Sequence, residues 1–254
     1  MNIKAIALNT FKEAVRNKIF YLLVMFGIFF ALSSQLVSLL TIGDKVKVLK
    51  DVGLGSIHFF SVLVAIFTGI NLVFKEIDKK TIYNILSKPI SRSSFIIGKF
   101  LGLAYTLLVA LVSMAAIFFI FLYVSTGEFD SGVALYFLLL YFELLIITSL
   151  SLLFSSFTTP ILSSIFTITL FLIGHVLWTF NEFKVRLVEP LIKIIVYFFY
   201  YILPNLDKFN IKNAVVMDVK LEPGLILGSI LYGLVYIAAL LALTIVIFQK
   251  REFQ

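Results

Sequence analysis

FIIGKFLGLAYTLLVALVSMAAIFFIFLYV, residues 95–124, is an unbroken apolar run with a single charge, Lys99. A helix that crosses a bilayer needs roughly 20 mostly apolar residues, because the hydrocarbon core is about 30 Å thick. This run exceeds that length. Five more runs of the same character surround it: Ile19–Leu40, Gly53–Phe74, Val133–Phe157, Ile161–Phe180 and Gly224–Gln249. An eighteen-residue or longer apolar stretch without a charge cluster reads as a membrane span. The fold class expected is therefore an all-α integral membrane protein with six transmembrane helices.

Composition agrees with that reading. Of 254 residues, 61% are hydrophobic and 14% are charged. Soluble domains run at about 45–50% apolar and about 25% charged. No stretch has a soluble domain's composition, so residues 1–254 read as a single six-span domain. There is no cysteine, which excludes a disulfide framework, a thiolate nucleophile and a thiolate metal site. The first apolar run has a basic flank but is long, and no small-x-small cleavage site follows it. It reads as a span rather than a cleaved signal.

The net charge of +7 reads as topology, not as a nucleic-acid partner. Six spans put both termini on one side. That side collects Lys4, Lys12, Arg16, Lys18, Lys75, Lys79, Lys80, Lys88, Arg92, Lys99, Lys250 and Arg251, against Glu13, Glu76, Asp78 and Glu252. The opposite loops carry equal numbers of cations and acids. Cations gather on the cytoplasmic side of spans, so both termini are expected in the cytoplasm and the protein in the cell membrane. Trp178, Tyr197, Tyr200 and Tyr201 would then lie near the outer interface.

Three segments are not spans. Residues 1–18 place Ile3, Ile6, Ala7, Phe11, Ala14 and Val15 at helical spacing, with Lys4, Lys12 and Arg16 largely elsewhere on the wheel. That pattern suits an amphipathic helix lying in the interface. The loop KEIDKKTIYNILSKPISRSSFIIGKFLG, residues 75–102, starts with clustered charges and continues with Ile82, Ile85 and Leu86 at helical spacing. Pro89 stops any helix there, and Ser91 can cap the next one. A short cytoplasmic helix with an apolar face between two spans needs a partner. Gly98 and Gly102 form a small-xxx-small pair that permits close helix approach. Residues 181–223 make a long outer loop with Pro190, Pro204 and Pro223 and a short apolar run, Leu191–Leu203, suited to a re-entrant or capping segment.

Together these features resemble the six-span permeases of type-2 ABC transporters, and within them the copper-enzyme-maturation branch. The likeness rests on the N-terminal helix, on the loop 75–102, on SSFTTPILSS (155–164), on YYILPNLDKFNI (200–211) and on FQKREF (248–253). It covers essentially the whole chain. It implies a coupling helix within residues 76–87 of a cytoplasmic coupling loop, 76–92, with Glu76, Asp78, Lys79, Lys80, Thr81, Ile82, Tyr83, Ile85 and Leu86 docking on a separate ATPase. It also implies two copies of that ATPase, with ATP and Mg bound there, and a second permease chain as homodimer or heterodimer. The cargo does not carry over. Copper is poorly supported, since no Cys, four Met and two His make no soft-metal relay.

This chain is expected to be non-enzymatic and to bind no cofactor itself. It has no GxxxxGK[ST] phosphate loop and no HExxH helix. His58 and His175 belong to different spans, and no metal site is expected of them. The intramembrane polar candidates are Glu143, His175, Gln35 and Asn71. A carboxylate in mid-span is expensive, so Glu143 is expected neutral, or paired with His175, or on a substrate pathway. Packing through a hydrogen bond is the plainer role. Gln35 and Asn71 suit interhelical hydrogen bonds. The function expected is the permease subunit of an ATP-driven exporter. The alternatives are a complex of the same architecture that transmits force without transport, and a polytopic membrane enzyme.

Overall fold

A computed structural model describes residues 3–78, 91–186 and 200–250. Among the described residues the α-helices are α1 (Ile3–Val15), α2 (Lys18–Leu40), α3 (Lys45–Asp78), α4 (Arg92–Thr126), α5 (Ser131–Ser155), α6 (Pro160–Arg186), α7 (Lys212–Val216) and α8 (Pro223–Lys250). A 3₁₀ turn, Leu206–Phe209, precedes α7. Six helices, α2 to α6 and α8, are long and apolar enough to cross a membrane. The chain is an all-α integral membrane protein. Its apolar surface fits this: Phe29, Leu36, Ile161, Leu172, Leu231 and Val235 all stand exposed on the spans, where lipid rather than water is the solvent.

Local sequence sets the helix ends. Asn17 caps α2, its side chain accepting from the Ile19 N–H at 3.1 Å. Ser91 caps α4, its hydroxyl accepting from the Ser94 N–H at 3.2 Å. Asp130 caps α5, accepting from the N–H groups of Gly132 and Val133. Each cap satisfies amides that have no partner within the helix. Gly127 ends α4 at φ 75°, the left-handed geometry that glycine adopts without a Cβ penalty.

Helix α5 is the most buried span and α3 the next. They run parallel, in contact along their length. The Tyr136 hydroxyl donates to the Leu54 carbonyl at 3.2 Å. Further along, a Cβ added at Gly69 would stand 2.8 Å from the Ser151 Cβ, so the missing side chain sets the close approach. Helices α2, α4, α6 and α8 surround this pair and leave their outer faces exposed.

The observed helices follow the apolar runs closely, except that α6 runs past Phe180 to Arg186 and α3 begins at Lys45 rather than near Gly53. The extra two turns carry Lys45, Lys47, Lys50 and Asp51, which break the apolar run without breaking the helix. Lys50 is buried and pairs with Asp130 at 2.6 Å and Asp218 at 2.8 Å. Asp51 pairs with Lys212 of α7 at 2.9 Å. These contacts tie together the start of α3, the start of α5 and the segment before α8.

At the other end of the bundle, Arg92 donates to the carbonyls of Phe248 and Gln249 at 2.9 and 2.8 Å. It thus satisfies carbonyls in the last turn of α8, where a cation also meets the negative end of the helix dipole. Phe95 stacks on Phe248 at 5.7 Å beside it.

Helix α1 lies on α4 at this same end. Its buried stripe is Ile6, Thr10 and Ala14, while Lys4 and Lys12 stay exposed. The small-xxx-small pair makes the contact. A Cβ on Gly98 would stand 2.7 Å from the Ile6 Cβ, and one on Gly102 would stand 2.5 Å from the Ala7 carbonyl oxygen. The close approach that Gly98 and Gly102 permit is therefore with α1.

Candidate functional site: a buried histidine–carboxylate cluster

Glu143 is a carboxylate enclosed within the spans, 1% exposed. It lies midway along α5. His58 lies midway along the α3 span and His175 lies on α6; the three helices pack on one another. Tyr136 and Glu143 are two helical turns apart on α5, and Leu54 and His58 one turn apart on α3, so the contact that joins Tyr136 to Leu54 continues into a contact between Glu143 and His58. His58 Nε2 stands 3.0 Å from Glu143 Oε1. His175 Nε2 stands 3.4 Å from the same oxygen. The imidazole centroids are 5.6 Å apart. Phe171 walls the site, with its ring 4.6 Å from that of His175.

Hydrogen bonding orients the parts. His175 Nδ1 donates to the Phe171 carbonyl, one helical turn back, at 3.1 Å. A carbonyl only accepts, so the Nδ1 carries the proton and a neutral His175 presents a lone pair at Nε2. That nitrogen is buried and takes no hydrogen bond among the described residues. His58 Nε2 is free to donate to Glu143. Between His58 and Glu143 the geometry is that of an ordinary hydrogen bond. Between His175 and Glu143, a lone pair faces a carboxylate oxygen.

A turn of chain packs beside this cluster. Pro204 and Leu206 press on α6 at Gly174, where an added Cβ would stand 2.7 Å from the Pro204 carbonyl oxygen. Leu206 and Phe209 are buried. The Asn205 N–H donates to the Tyr232 hydroxyl at 2.9 Å, the Tyr236 hydroxyl to the Ile202 carbonyl at 2.7 Å, and the Ser229 hydroxyl to the Lys208 carbonyl at 2.8 Å. Residues 202–209 are thus held between α6 and α8. Burial raises the Asp207 carboxyl, in this turn, above its ordinary value.

Of the residues singled out in the sequence, the fold brings Glu143 and His175 together and adds His58. A histidine in the middle of an apolar run was the available signal for His58, since an ionisable group at that depth is costly. Gln35 meets a second span, accepting from the Ser125 hydroxyl at 3.4 Å. Asn71 is half-buried near the far end of α3, about 20 Å along the helix from His58. The backbone of α3 continues through Glu76 to Asp78. Lys79, Lys80, Thr81, Ile82, Tyr83, Ile85 and Leu86 lie outside the described residues, as does most of the apolar run Leu191–Leu203.

A comparison with curated proteins finds no match to this chain. A comparison with protein families does: the model of the ABC-2 family transporter protein matches residues 4–253. The match takes in every described helix except the first residue of α1, and with it the six spans, the charged loop between α3 and α4 and the turn beside the histidine–carboxylate cluster. The chain belongs to the ABC-2 transporter family and is a multi-pass membrane permease subunit.

Proposed function

We propose that this permease is the transport half of an ATP-driven exporter in the cell membrane, with both termini in the cytoplasm. The family match over residues 4–253 carries the reading. Two features of the sequence support the division of labour. The chain has no phosphate loop, so ATP and Mg belong on a partner. The loop from Glu76 to Arg92 joins charges to an apolar helical pattern, Ile82–Ile85–Leu86, which suits insertion into a cleft of an ATPase. A pair of ATPase chains and a second permease chain complete the unit. ATP closes the ATPase pair, the coupling segments move with their clefts, and the span bundles rock to open outward. The likeness of the loop 75–102 and of the FQKREF ending to the copper-enzyme-maturation branch supports a place near that branch.

The experiment is co-expression with a candidate ABC ATPase from the same organism, followed by reconstitution. The permease should co-purify with the ATPase and stimulate its hydrolysis. Ile85→Asp should insert normally but lose the stimulation, because a carboxylate forced into an apolar cleft lacks a partner. Full stimulation by Ile85→Asp and by Ile82→Asp would move the docking segment elsewhere. Stimulated hydrolysis with no flux of any candidate cargo would favour force transmission over export.

A further inference from the structure

The three side chains that meet in mid-span have a geometry that hydrogen bonding only half explains. One contact, His58 to Glu143, is satisfied by a single shared proton. The other sets the unprotonated Nε2 of His175 against the same carboxylate oxygen at 3.4 Å, two acceptors facing each other in an apolar interior. A positive centre between them removes the conflict.

We propose that His58, Glu143 and His175 bind one divalent transition-metal ion, with zinc the best chemical match, and that the ion clasps α3, α5 and α6 together.

The distances suit this. Zinc binds imidazole nitrogen at about 2.0–2.1 Å and carboxylate oxygen at about 2.0–2.2 Å, so the edges of a tetrahedral ligand set are about 3.4 Å. The two measured edges are 3.0 and 3.4 Å. All three donor atoms lie within 4.8 Å of one another, and a modest rotation of the imidazoles closes the remaining edge. The set of two imidazoles and one carboxylate is borderline in softness, as zinc is. The hydrogen bond from His175 Nδ1 to the Phe171 carbonyl fixes the tautomer that ligates and aims its Nε2, the usual supporting contact of a metal-bound histidine.

Charge is the main objection to an ion at this depth. One carboxylate leaves a divalent ion with a net positive charge in a low dielectric. Asp207 lies in the turn packed beside the cluster, next to Leu206, which presses on α6 at Gly174, and so sets a second carboxyl group near the ion without ligating it. The three ligands come from three different helices, α3, α5 and α6, so the ion's role is to hold those helices together.

The test uses the full-length chain without a polyhistidine tag, purified in detergent, stripped with a chelator and dialysed against zinc. Elemental analysis should find one zinc per chain, and cobalt(II) in its place should give the visible absorption of a tetrahedral site. Glu143→Gln keeps the size and hydrogen bonding of the side chain and so should fold. It should lower zinc affinity by about tenfold or more, as should His175→Gln and His58→Gln. Zinc should raise the thermal midpoint of the natural chain and leave that of Glu143→Gln unmoved. Failure of the natural chain to take up zinc would overturn the proposal and leave a proton as the shared cation. Equal zinc binding by Glu143→Gln and the natural chain would overturn it too. Both readouts are made on the chain alone, so they stand apart from its action with an ATPase.

Discussion

Glu143 Oε1 lies 3.0 Å from His58 Nε2, and this contact joins the midpoints of the two most buried spans, α3 and α5. It places a mid-span carboxylate where three helices meet, buried and not on a face turned to lipid.

Two replacements of Glu143 separate its polar role from its shape. In Glu143→Gln the amide oxygen accepts from His58 Nε2 and the amide nitrogen donates to His175 Nε2, so His58 keeps its partner and His175 gains one. Glu143→Leu leaves His58 Nε2 buried without one, at about 1–3 kcal/mol. With metal stripped by a chelator, thermal unfolding in detergent should place Gln close to the natural chain and Leu clearly below it. Gln should also keep its stimulation of the partner ATPase. A Gln variant that assembles fully but fails to transport would assign the carboxylate a part in the cycle.

Gly102 is the tightest point between α1 and α4. A Cβ there would stand 2.5 Å from the Ala7 carbonyl oxygen, and backbone cannot swing aside as a side-chain tip can. Gly102→Val should therefore lift α1 off α4, at about 1–3 kcal/mol. Amide exchange in residues 3–15 should speed up while exchange within α5 stays slow. Unchanged protection of α1 would mean that α4 does not hold it.

Asp130 and Asp218 both pair with Lys50, yet they should not matter equally. The Asp130 side chain is 23% exposed, and besides Lys50 it caps α5; the Asp218 side chain is 66% exposed. Asp130→Ala loses a cap and an ion pair, about 1–2 kcal/mol. Asp218→Ala loses a solvated pair worth about 0.5 kcal/mol or less. Equal thermal midpoints for the two variants would show that the cap contributes little.

Topology follows from where the cations lie. Reporters fused after Gln254 and inserted near Lys80 should read cytoplasmic, and one near Asn213 should read outside. Asn213 belongs to α7, which Lys212 ties to Asp51 at the start of α3, the end of the bundle remote from Arg92 and Gln249. Opposite sidedness at any one position would overturn the orientation.

The sequence by itself determined the class of this protein and the places where the chain crosses the membrane. Spans of such length and apolarity satisfy their backbone groups only as helices, so the fold class follows from local composition. The caps Ser91 and the breaks between runs were legible for the same reason: they act over a few residues. Where charge entered a helix, local reading stopped short. The first two turns of α3 carry Lys50, and only the approach of Asp130 and Asp218 from distant loops makes its burial tolerable. The small-xxx-small pair was visible, but its partner α1 was not, because small residues announce closeness without saying to what. The cluster is the clearest case. Glu143, His175 and His58 were each visible as costly residues in apolar runs. That they share one point was decided by the packing of α3, α5 and α6, and a pairing set by helix rotation and register leaves no periodic trace along the chain.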